Sequence, residues 1–469
     1  VIAYKPLLDE ALRVARHQPL KVVLLDRGLA PHDKQSGRDL DWAGTVRQVA
    51  DRDAPVCWLE SNAPSYILYT SGTTGRPKGV LRDTGGYAVA LATSMRYIFE
   101  AQAGDVFFAT SDIGWVVGHS YIVYGPLIAG MTTVLCEGLP THPDPGVWWR
   151  TVDRFRVNRL FSSPTAIRVL KKFGDAPIRQ SDLGSLRGVY LAGEPLDQPT
   201  SQWIADALEV PVTDNYWQTE TGWPILALPR GVTDAAGARP PRLGSPGVAM
   251  PGFDVKVIPE TGTAVCADGD KGIVMIAAPL PPGCMQSVWG DDARFLETYW
   301  SRPLADDRWY YSTFDWGVKD GDGYHFILGR TDDVINVAGH RLGTREIEEC
   351  LCAHALVAEA AVVGVKDEIK GQVAVAFVVL RQTDAPLPDL EKELLTTVDR
   401  QLGPVARPAR VHRVSALPKT RSGKVLRRVI QALCEGRDAG DVATLEDPSA
   451  VAAIAAVVGQ PAAHAAWST

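Results

Sequence analysis

The sequence predicts an α/β protein with a largely parallel, covered sheet, followed by a smaller α+β unit. Three patterns predict it. Short β-branched or aromatic runs alternate with amphipathic stretches through about residue 280, strands without intervening helices occupy 244–283, and a compact strand–helix–strand–strand–helix pattern begins past Gly329. In the first regime, residues 22–25, 67–69, 106–109, 159–162, 188–191 and 210–213 are expected strands. The segments 86–99, 165–173 and 200–208 have helical periodicity. In the second, 255–258 and 272–276 are expected strands of a β-rich subdomain. A further strand is expected at 324–328, and past it the third has strands at 358–363 and 373–379 with helices at 344–354, 387–402 and 425–433. An Ala-rich stretch at 450–458 is expected to be a final helix.

Composition narrows the class. The 469 residues are 46% hydrophobic, which excludes disorder for the bulk of the chain and allows two or three domains. Basic side chains number 48 and acidic 55, a net charge of −7, so nucleic acid is not the expected partner. No apolar run of about 18 residues occurs, so neither a transmembrane helix nor a membrane partner is expected. The seven cysteines form no Cys-x-x-Cys pair, which points to reduced thiols in a cytoplasmic protein rather than to a disulfide framework or zinc site. The start, Val1-Ile2-Ala3-Tyr4-Lys5, has no initiator Met and no signal-peptide pattern, so the chain is expected to begin partway into a longer one.

The most informative segment is Tyr69-Thr70-Ser71-Gly72-Thr73-Thr74-Gly75-Arg76-Pro77-Lys78-Gly79, expected to follow a strand and to precede a helix. Its three inner and terminal glycines permit close backbone approach, its hydroxyls donate, and Lys78 adds a positive charge. Together they make a cradle for a polyphosphate. Glycines and threonines alone would equally suit an ordinary turn; the full run is more specific. Lys78 is followed by Gly79 rather than Ser or Thr, so the spacing does not fit a Walker-type ATPase.

This run resembles the signature loop of the adenylate-forming (AMP-binding) acyl-CoA synthetases. The resemblance continues through Trp115-Val116-Val117-Gly118-His119-Ser120-Tyr121, Gly193-Glu194-Pro195, Tyr216-Trp217-Gln218-Thr219-Glu220-Thr221-Gly222, Gly339-His340-Arg341 and Pro418-Lys419-Thr420-Arg421-Ser422-Gly423-Lys424, all in the family's order. Within the family it most resembles the short-chain branch, the propionyl-CoA and acetyl-CoA synthetases. The resemblance implies a large multi-layer adenylate-forming domain over 1–331, incomplete at its N-terminal side. A small mobile lid over 332–445 and a tail over 446–469 follow. It implies ATP-dependent joining of a short-chain carboxylate to coenzyme A through an acyl-adenylate, with release of AMP and pyrophosphate.

The chemistry sets what the site must hold. Two anions meet when a carboxylate attacks the α-phosphorus, so cations and oriented dipoles matter more than an acid or base. By resemblance, Thr70, Ser71, Gly72, Thr73, Thr74, Gly75 and Lys78 hold the β- and γ-phosphates. Thr219 contacts the α-phosphate, and Glu220 is the Mg²⁺ ligand together with phosphates. Gly193, Glu194, Pro195, Asp214, Asn215 and Tyr216, with Trp217 and Gln218 beside them, frame the nucleotide. Asp315 meets the ribose and Arg330 the ribose or a phosphate, although taken singly they could equally be a surface ion pair. Phe314 stands where the family commonly has glycine. Arg341 is expected at the nucleotide phosphate.

Lys424 is the expected catalytic lysine of adenylation, bridging carboxylate and α-phosphate oxygens. Outside the resemblance it reads as a helix-start lysine in a basic run. The resemblance also implies reversible acetylation of Lys424, and so a lysine acetyltransferase and deacetylase as partners. Asp332 matches the family's hinge, about which Ala338 and Gly339 would be brought in to meet coenzyme A. Asp399 occupies the place of the family's usual CoA-contacting arginine, next to Arg400. Trp217 is expected to shorten the acyl pocket, with Val116, Val117 and Ala192 lining it. Acetate-specific relatives tend to carry Val where Ala192 stands. The smaller side chain makes room for about one methylene, which favours propionate over acetate. The alternative is a truncated, non-catalytic nucleotide-binding remnant, because the family's large domain normally has about 150 further residues before the start of this chain.

Overall fold

The computed structural model describes residues 3–70, 77–194, 196, 198–232, 239–338, 340–381, 389–420, 425–439, 445 and 447–459. Contacts divide the chain into two compact units, Val1–Leu59 and Glu60–Thr469. In the first, the parallel strands Val22–Leu24 and Asp39–Asp41 are accompanied by the helices Tyr4–Val14 and Trp42–Val49. Asp39 lies 3.0 Å from the Lys5 ammonium and pairs with Arg38. These cations, Arg38 first, hold its carboxyl far below the usual carboxylate range. Asp41 caps the second helix, accepting from the Gly44 N–H at 2.7 Å.

The second unit contains a seven-stranded sheet in the order Val248–Ala249, Leu226–Ala227, Val212–Tyr216, Gly188–Leu191, Arg159–Ser162, Val106–Ala109, Thr132–Val134. Its last five strands are parallel, as the strand–helix alternation predicts. Period-two alternation gives the sheet two apolar faces. Phe107, Phe161 and Tyr190 pack on one side with Phe99, Tyr121 and Trp223, while Phe108, Leu160, Val189 and Leu191 pack on the other with Trp148, Trp149 and Ile204. The helix Gly85–Tyr97 leads into this sheet, and Val147–Phe155, Pro164–Lys171 and Gln198–Leu208 connect its strands. Ser163 starts the helix Pro164–Lys171, its hydroxyl accepting from the Ala166 N–H at 3.3 Å with Pro164 next in line.

The expected β-rich subdomain is an antiparallel sheet of Asp254–Ile258, Lys271–Ala277, Trp300–Ser301, Tyr310–Lys319 and His325–Arg330. One expectation is corrected. The phosphate-loop segment does not lead into a helix but joins two antiparallel strands, Pro64–Thr70 and Lys78–Asp83, in a register that places Thr70 opposite Lys78. The second strand is held on its far edge by Ser287–Val288, and the helix begins only at Gly85. Val80 is buried in this strand against the core, which a solvated helical turn could not achieve.

Past Thr331 the chain builds a sheet from Val334–Val337, His340–Gly343, Val357–Asp367, Gly371–Leu380 and Arg410–Arg413, with the helices Thr344–Cys352, Leu390–Leu402, Arg427–Cys434 and Ser449–Val458. Its two apolar clusters, around Leu351 and Leu394 and around Phe377 and Ile430, draw only on residues from Ile335 onward. Ile454 of the Ala-rich helix is fully buried in the second. No helix among the described residues is long and apolar enough to cross a membrane.

His325 is 4% exposed, and neither ring nitrogen has a hydrogen-bond partner. Burial, and then the Lys319 charge, push its pKa from 6.5 down to about 4. The unfolded chain therefore binds this proton first, and the contribution present above pH 6.5 is lost as pH falls toward 4. At pH 5 the loss is about 2 kcal/mol. Urea unfolding at pH 7 and pH 5 checks this: the unaltered protein should lose that much more stability than His325→Phe. An equal loss in both would contradict it.

Candidate active site

The expected site residues gather at the carboxyl ends of the parallel strands. Ala192, Gly193 and Glu194 leave the end of Gly188–Leu191; Asp214, Asn215 and Tyr216 end Val212–Tyr216; Trp217 to Glu220 follow directly. The chain proceeds from Val106–Ala109 to a neighbour on one side and then builds outward on the other. Such a reversal leaves a crevice for ligands.

Lys78 and Glu220 meet beside the turn that follows Val212–Tyr216. The ammonium lies 2.5 Å from the carboxylate Oε1, and each side chain is only 13% exposed. Tyr299 closes the group, since its hydroxyl accepts from Lys78 and donates to Glu220 at 3.2 Å. The Tyr299 ring stacks on Tyr311 at 5.3 Å and lies 4.9 Å from the Lys78 ammonium. Burial alone would push the Glu220 carboxyl up, but Lys78 overcomes it and the net direction is down. Glu220 is thus an anion at neutral pH.

A second group adjoins it through Gln218. The Gln218 amide donates to Asp315 Oδ2 at 2.7 Å and to the Thr313 carbonyl at 2.6 Å, and Tyr311 donates to its Oε1 at 3.4 Å. Tyr216 donates its hydroxyl to the same Asp315 oxygen. Arg330 stands opposite Asp315 across the ladder. Phe314 lies at φ +59°, in the left-handed region where glycine is relaxed and a side chain is strained. That conformation accounts for glycine being the common family residue. Here the Phe314 ring meets the Tyr299 ring at 5.7 Å and the Arg330 guanidinium at 5.8 Å.

Two expected nucleotide residues sit in contrasting surroundings. Burial pushes the Asp214 carboxyl up to about 7 despite the Arg345 charge. Asn215 is 2% exposed with both amide atoms unpartnered. Thr70, at the lip of the loop, also has an unpartnered buried hydroxyl. Glu194 turns the other way: it accepts from the Thr165 N–H and hydroxyl and pairs with Arg168 at 2.7 Å. Among the expected acyl-pocket residues, Ala192, Val117 and Trp217 share one apolar cluster, and Trp217 meets the Tyr121 ring edge-on at 5.4 Å. Val116 is buried outside that cluster.

Ala338 lies apart from these groups. It stands at φ +50° between the paired strands Val334–Val337 and His340–Gly343, and its N–H donates to the Lys370 carbonyl at 2.8 Å. An open hollow of about 510 Å³ beside it is lined by Asn336, Lys370 and Gln372. Asp332 lies in the single turn Thr331–Asp333 and Arg341 in the strand His340–Gly343. Ser71, Gly72, Thr73, Thr74, Gly75, Pro195, Gly339 and Lys424 lie outside the described residues.

Sequence reasoning missed Tyr299, Tyr311, Thr313 and Arg82. Alternation along Lys78–Asp83 places Arg82 on the face of Lys78 and Val80, and that was the one available signal. The tyrosines come from a region more than 75 residues further along the chain than Glu220, and no spacing rule links them to it.

Among the described residues no cluster of three or more His, Cys, Asp or Glu could hold a metal ion. The donor chemistry present, one anionic carboxylate with an adjacent hydroxyl residue, fits a hard cation that brings phosphate oxygens and water with it.

Fold and site together define an α/β protein with a sheltered cation–carboxylate centre beside the carboxyl ends of parallel strands, followed by an α+β region with apolar clusters of its own. The AMP-binding enzyme family model matches residues 3–289, and the model for the AMP-binding enzyme C-terminal domain matches 346–424. The chain belongs to the AMP-binding enzyme family. It is 60% identical to a protein named propionate–CoA ligase from Escherichia coli (strain K12), over 96% of this chain and 72% of that protein. It is 43% identical to an acetyl-coenzyme A synthetase from Pyrobaculum aerophilum, over 96% of this chain and 66% of that protein. The anthranilate CoA ligase AuaEII, solved in complex with anthranoyl-AMP, shares the fold. Its TM-score is 0.70 at 23% identity, covering 82% of this chain and 71% of that one.

Replacing Glu220 by Gln leaves the Lys78 ammonium largely sheltered beside a neutral group. Glu220→Gln should cost about 2–3 kcal/mol of stability, and Lys78→Met in the same chain should recover part of it. Urea midpoints measure both; a single substitution within the noise of the unaltered protein would show that the pair is not a sheltered one.

Proposed function

We propose that this chain joins a short-chain carboxylic acid to coenzyme A in two steps, with propionate preferred and acetate weaker. In the first, a carboxylate oxygen attacks the α-phosphorus of ATP, forming the mixed anhydride acyl-AMP and releasing pyrophosphate. In the second, the thiolate of coenzyme A attacks the acyl carbonyl and AMP leaves. One observation carries this reading: the sheltered Lys78–Glu220 pair stands three residues along the chain from Trp217, which packs on one apolar cluster with Ala192 and Val117. The 60% identity to a propionate–CoA ligase supports the same assignment.

The residues divide the work by charge. Lys78, with the hydroxyls of Thr70 and the loop after it, holds the β- and γ-phosphates. Thr219 meets the α-phosphate. Glu220 holds Mg²⁺, which when bound offsets phosphate charge. Tyr216, Asp214, Asn215, Gly193, Glu194 and Pro195 border the adenine, while Asp315 meets the ribose and Arg330 the ribose or phosphate. Binding must part Lys78 from Glu220, because each gains a phosphate or metal partner. Lys424 then bridges the reacting carboxylate and the α-phosphate oxygens as charge builds.

We divide the chain near residue 331 into an AMP-binding domain and a lid that turns about Asp332, bringing Ala338 and Gly339 toward the pantetheine arm. In the present pose Lys271 pairs with Glu346 at 2.6 Å and Lys172 with Glu359 at 3.6 Å. Partly exposed pairs of this kind are worth little each, so they set a pose without preventing its exchange. Acetylation of Lys424 would remove its charge and stop the first step. Seven free cysteines suit a reducing compartment, and we place the enzyme in the cytoplasm.

Acid-dependent pyrophosphate exchange into ATP tests the reading directly: propionate should exceed acetate and butyrate, with AMP and pyrophosphate as products. Release of ADP and phosphate would contradict it. Lys424→Ala should abolish propionyl-AMP formation yet spare thioester formation from supplied propionyl-AMP, whereas equal loss of both would count against the turning lid. Trp217→Gly should admit longer acids, because one methylene in such a pocket is worth roughly 1–3 kcal/mol. Unchanged chain-length selectivity would remove Trp217 from the pocket.

A further inference from the structure

Arg82 is the most completely buried cation near the site, with 0% of its surface exposed. Its guanidinium donates to three main-chain carbonyls: Thr219, Glu220 at 3.3 Å, and Gly283 at 2.5 Å. The Glu220 carbonyl also accepts from the Met285 N–H at 2.7 Å, so two loops are tied together at this point. The guanidinium carbon lies 5.2 Å from the Tyr87 ring centroid and 6.0 Å from that of Tyr66. Tyr87 and Ser120 share a hydrogen bond of 2.6 Å, and Ser120 donates to the Gly222 carbonyl at 2.8 Å, which fixes the far end of the same turn. A Cβ on Gly222, at φ +76°, would run into the Arg82 guanidinium, so the turn and the arginine fit only one another.

No carboxylate among the described residues makes an ion pair with Arg82, and its Nε is buried without a partner. An uncompensated buried charge is costly unless its donors are met, and here carbonyls and aromatic faces meet them in place of an anion. The arginine therefore carries a net positive charge immediately behind the backbone of Thr219 and Glu220. Its reach is visible at His119, whose pKa is lowered by burial and then by Arg82.

We propose that Arg82 is a positioning residue for the ATP and metal site. It clamps the main chain of Thr219 and Glu220, which aims the hydroxyl and carboxylate at the nucleotide. Its unpaired charge also adds positive potential behind the phosphates. The proposal deepens the functional reading above and rests on it. A lysine at this position keeps the charge but cannot span all three carbonyls. Carboxylic acid recognition, which depends on the apolar cluster around Trp217, is not part of the clamp.

The test compares Arg82→Lys and Arg82→Met with the unaltered protein by three measurements: urea unfolding, calorimetric titration with ATP with and without Mg²⁺ in the absence of acid and coenzyme A, and propionate-dependent pyrophosphate exchange. For Arg82→Lys the affinity for ATP with Mg²⁺ should fall by about tenfold or more, with a smaller change when the metal is left out. In exchange, the KM for ATP should rise while that for propionate holds. A lowered unfolding midpoint with unchanged ATP affinity in the folded protein would overturn the proposal, because it would leave Arg82 a merely structural role. If Arg82→Met does not fold, the lysine variant decides. Absence of exchange in the unaltered protein would remove the functional reading and this proposal with it. Normal exchange with an unaffected Arg82→Lys would remove this proposal alone.

Discussion

The contact between Lys78 and Glu220 is the constraint on which the rest of the site depends. An ammonium and a carboxylate, both largely withdrawn from water, neutralise one another across 142 positions of chain. Neither charge could be held so far from solvent alone. The hairpin that presents Lys78 and the turn that presents Glu220 are therefore specified together. Tyr299 and Tyr311 shelter the pair from one side, and Arg82 fastens the turn from beneath. The arrangement stores opposite charges at the two places where a phosphate chain and its accompanying cation would divide them.

This geometry also sets the charged centre beside the apolar cluster, which we propose as nucleotide site and acyl pocket. Gln218 joins the charged centre to Asp315, while Trp217, one residue earlier, points into the apolar cluster with Ala192 and Val117. Adjacent residues at a strand end reach a polar and an apolar environment because successive side chains diverge there. The strain accepted at Phe314 belongs to the same economy: its backbone conformation places Asp315 beside Tyr216, and its ring fills the space against Tyr299.

Much of this was legible in the sequence, and the reasons differ by region. The central strands at 106–109, 159–162 and 188–191 coincide with their expected bounds because they are buried on both faces, and short apolar runs between turn signals admit little else. The segment after the phosphate loop was misread because Lys78 and Gly79 hide a strand whose pairing partners, Ile67 to Thr70 and Ser287–Val288, are fixed by register rather than by local pattern. Lys78, Glu220, Asp315 and Trp217 were reached through motif resemblance, and the pairing of Lys78 with Glu220 follows from the fold. Arg82 and Tyr299 belong to no motif that was read. Their roles come from long-range contacts that no local spacing encodes, and the same holds for the tie of Glu194 to the start of a helix at Thr165 and Arg168.

The central claim is that Lys78 and Glu220 are two halves of one site, the first for phosphate and the second for the metal that accompanies it. Calorimetric titration of ATP into the unaltered protein, Lys78→Met and Glu220→Gln, each with and without Mg²⁺, tests it most directly. The account predicts that Lys78→Met weakens ATP binding under both conditions, whereas Glu220→Gln removes most of the gain that Mg²⁺ brings. ATP affinities that do not respond to either substitution would contradict it.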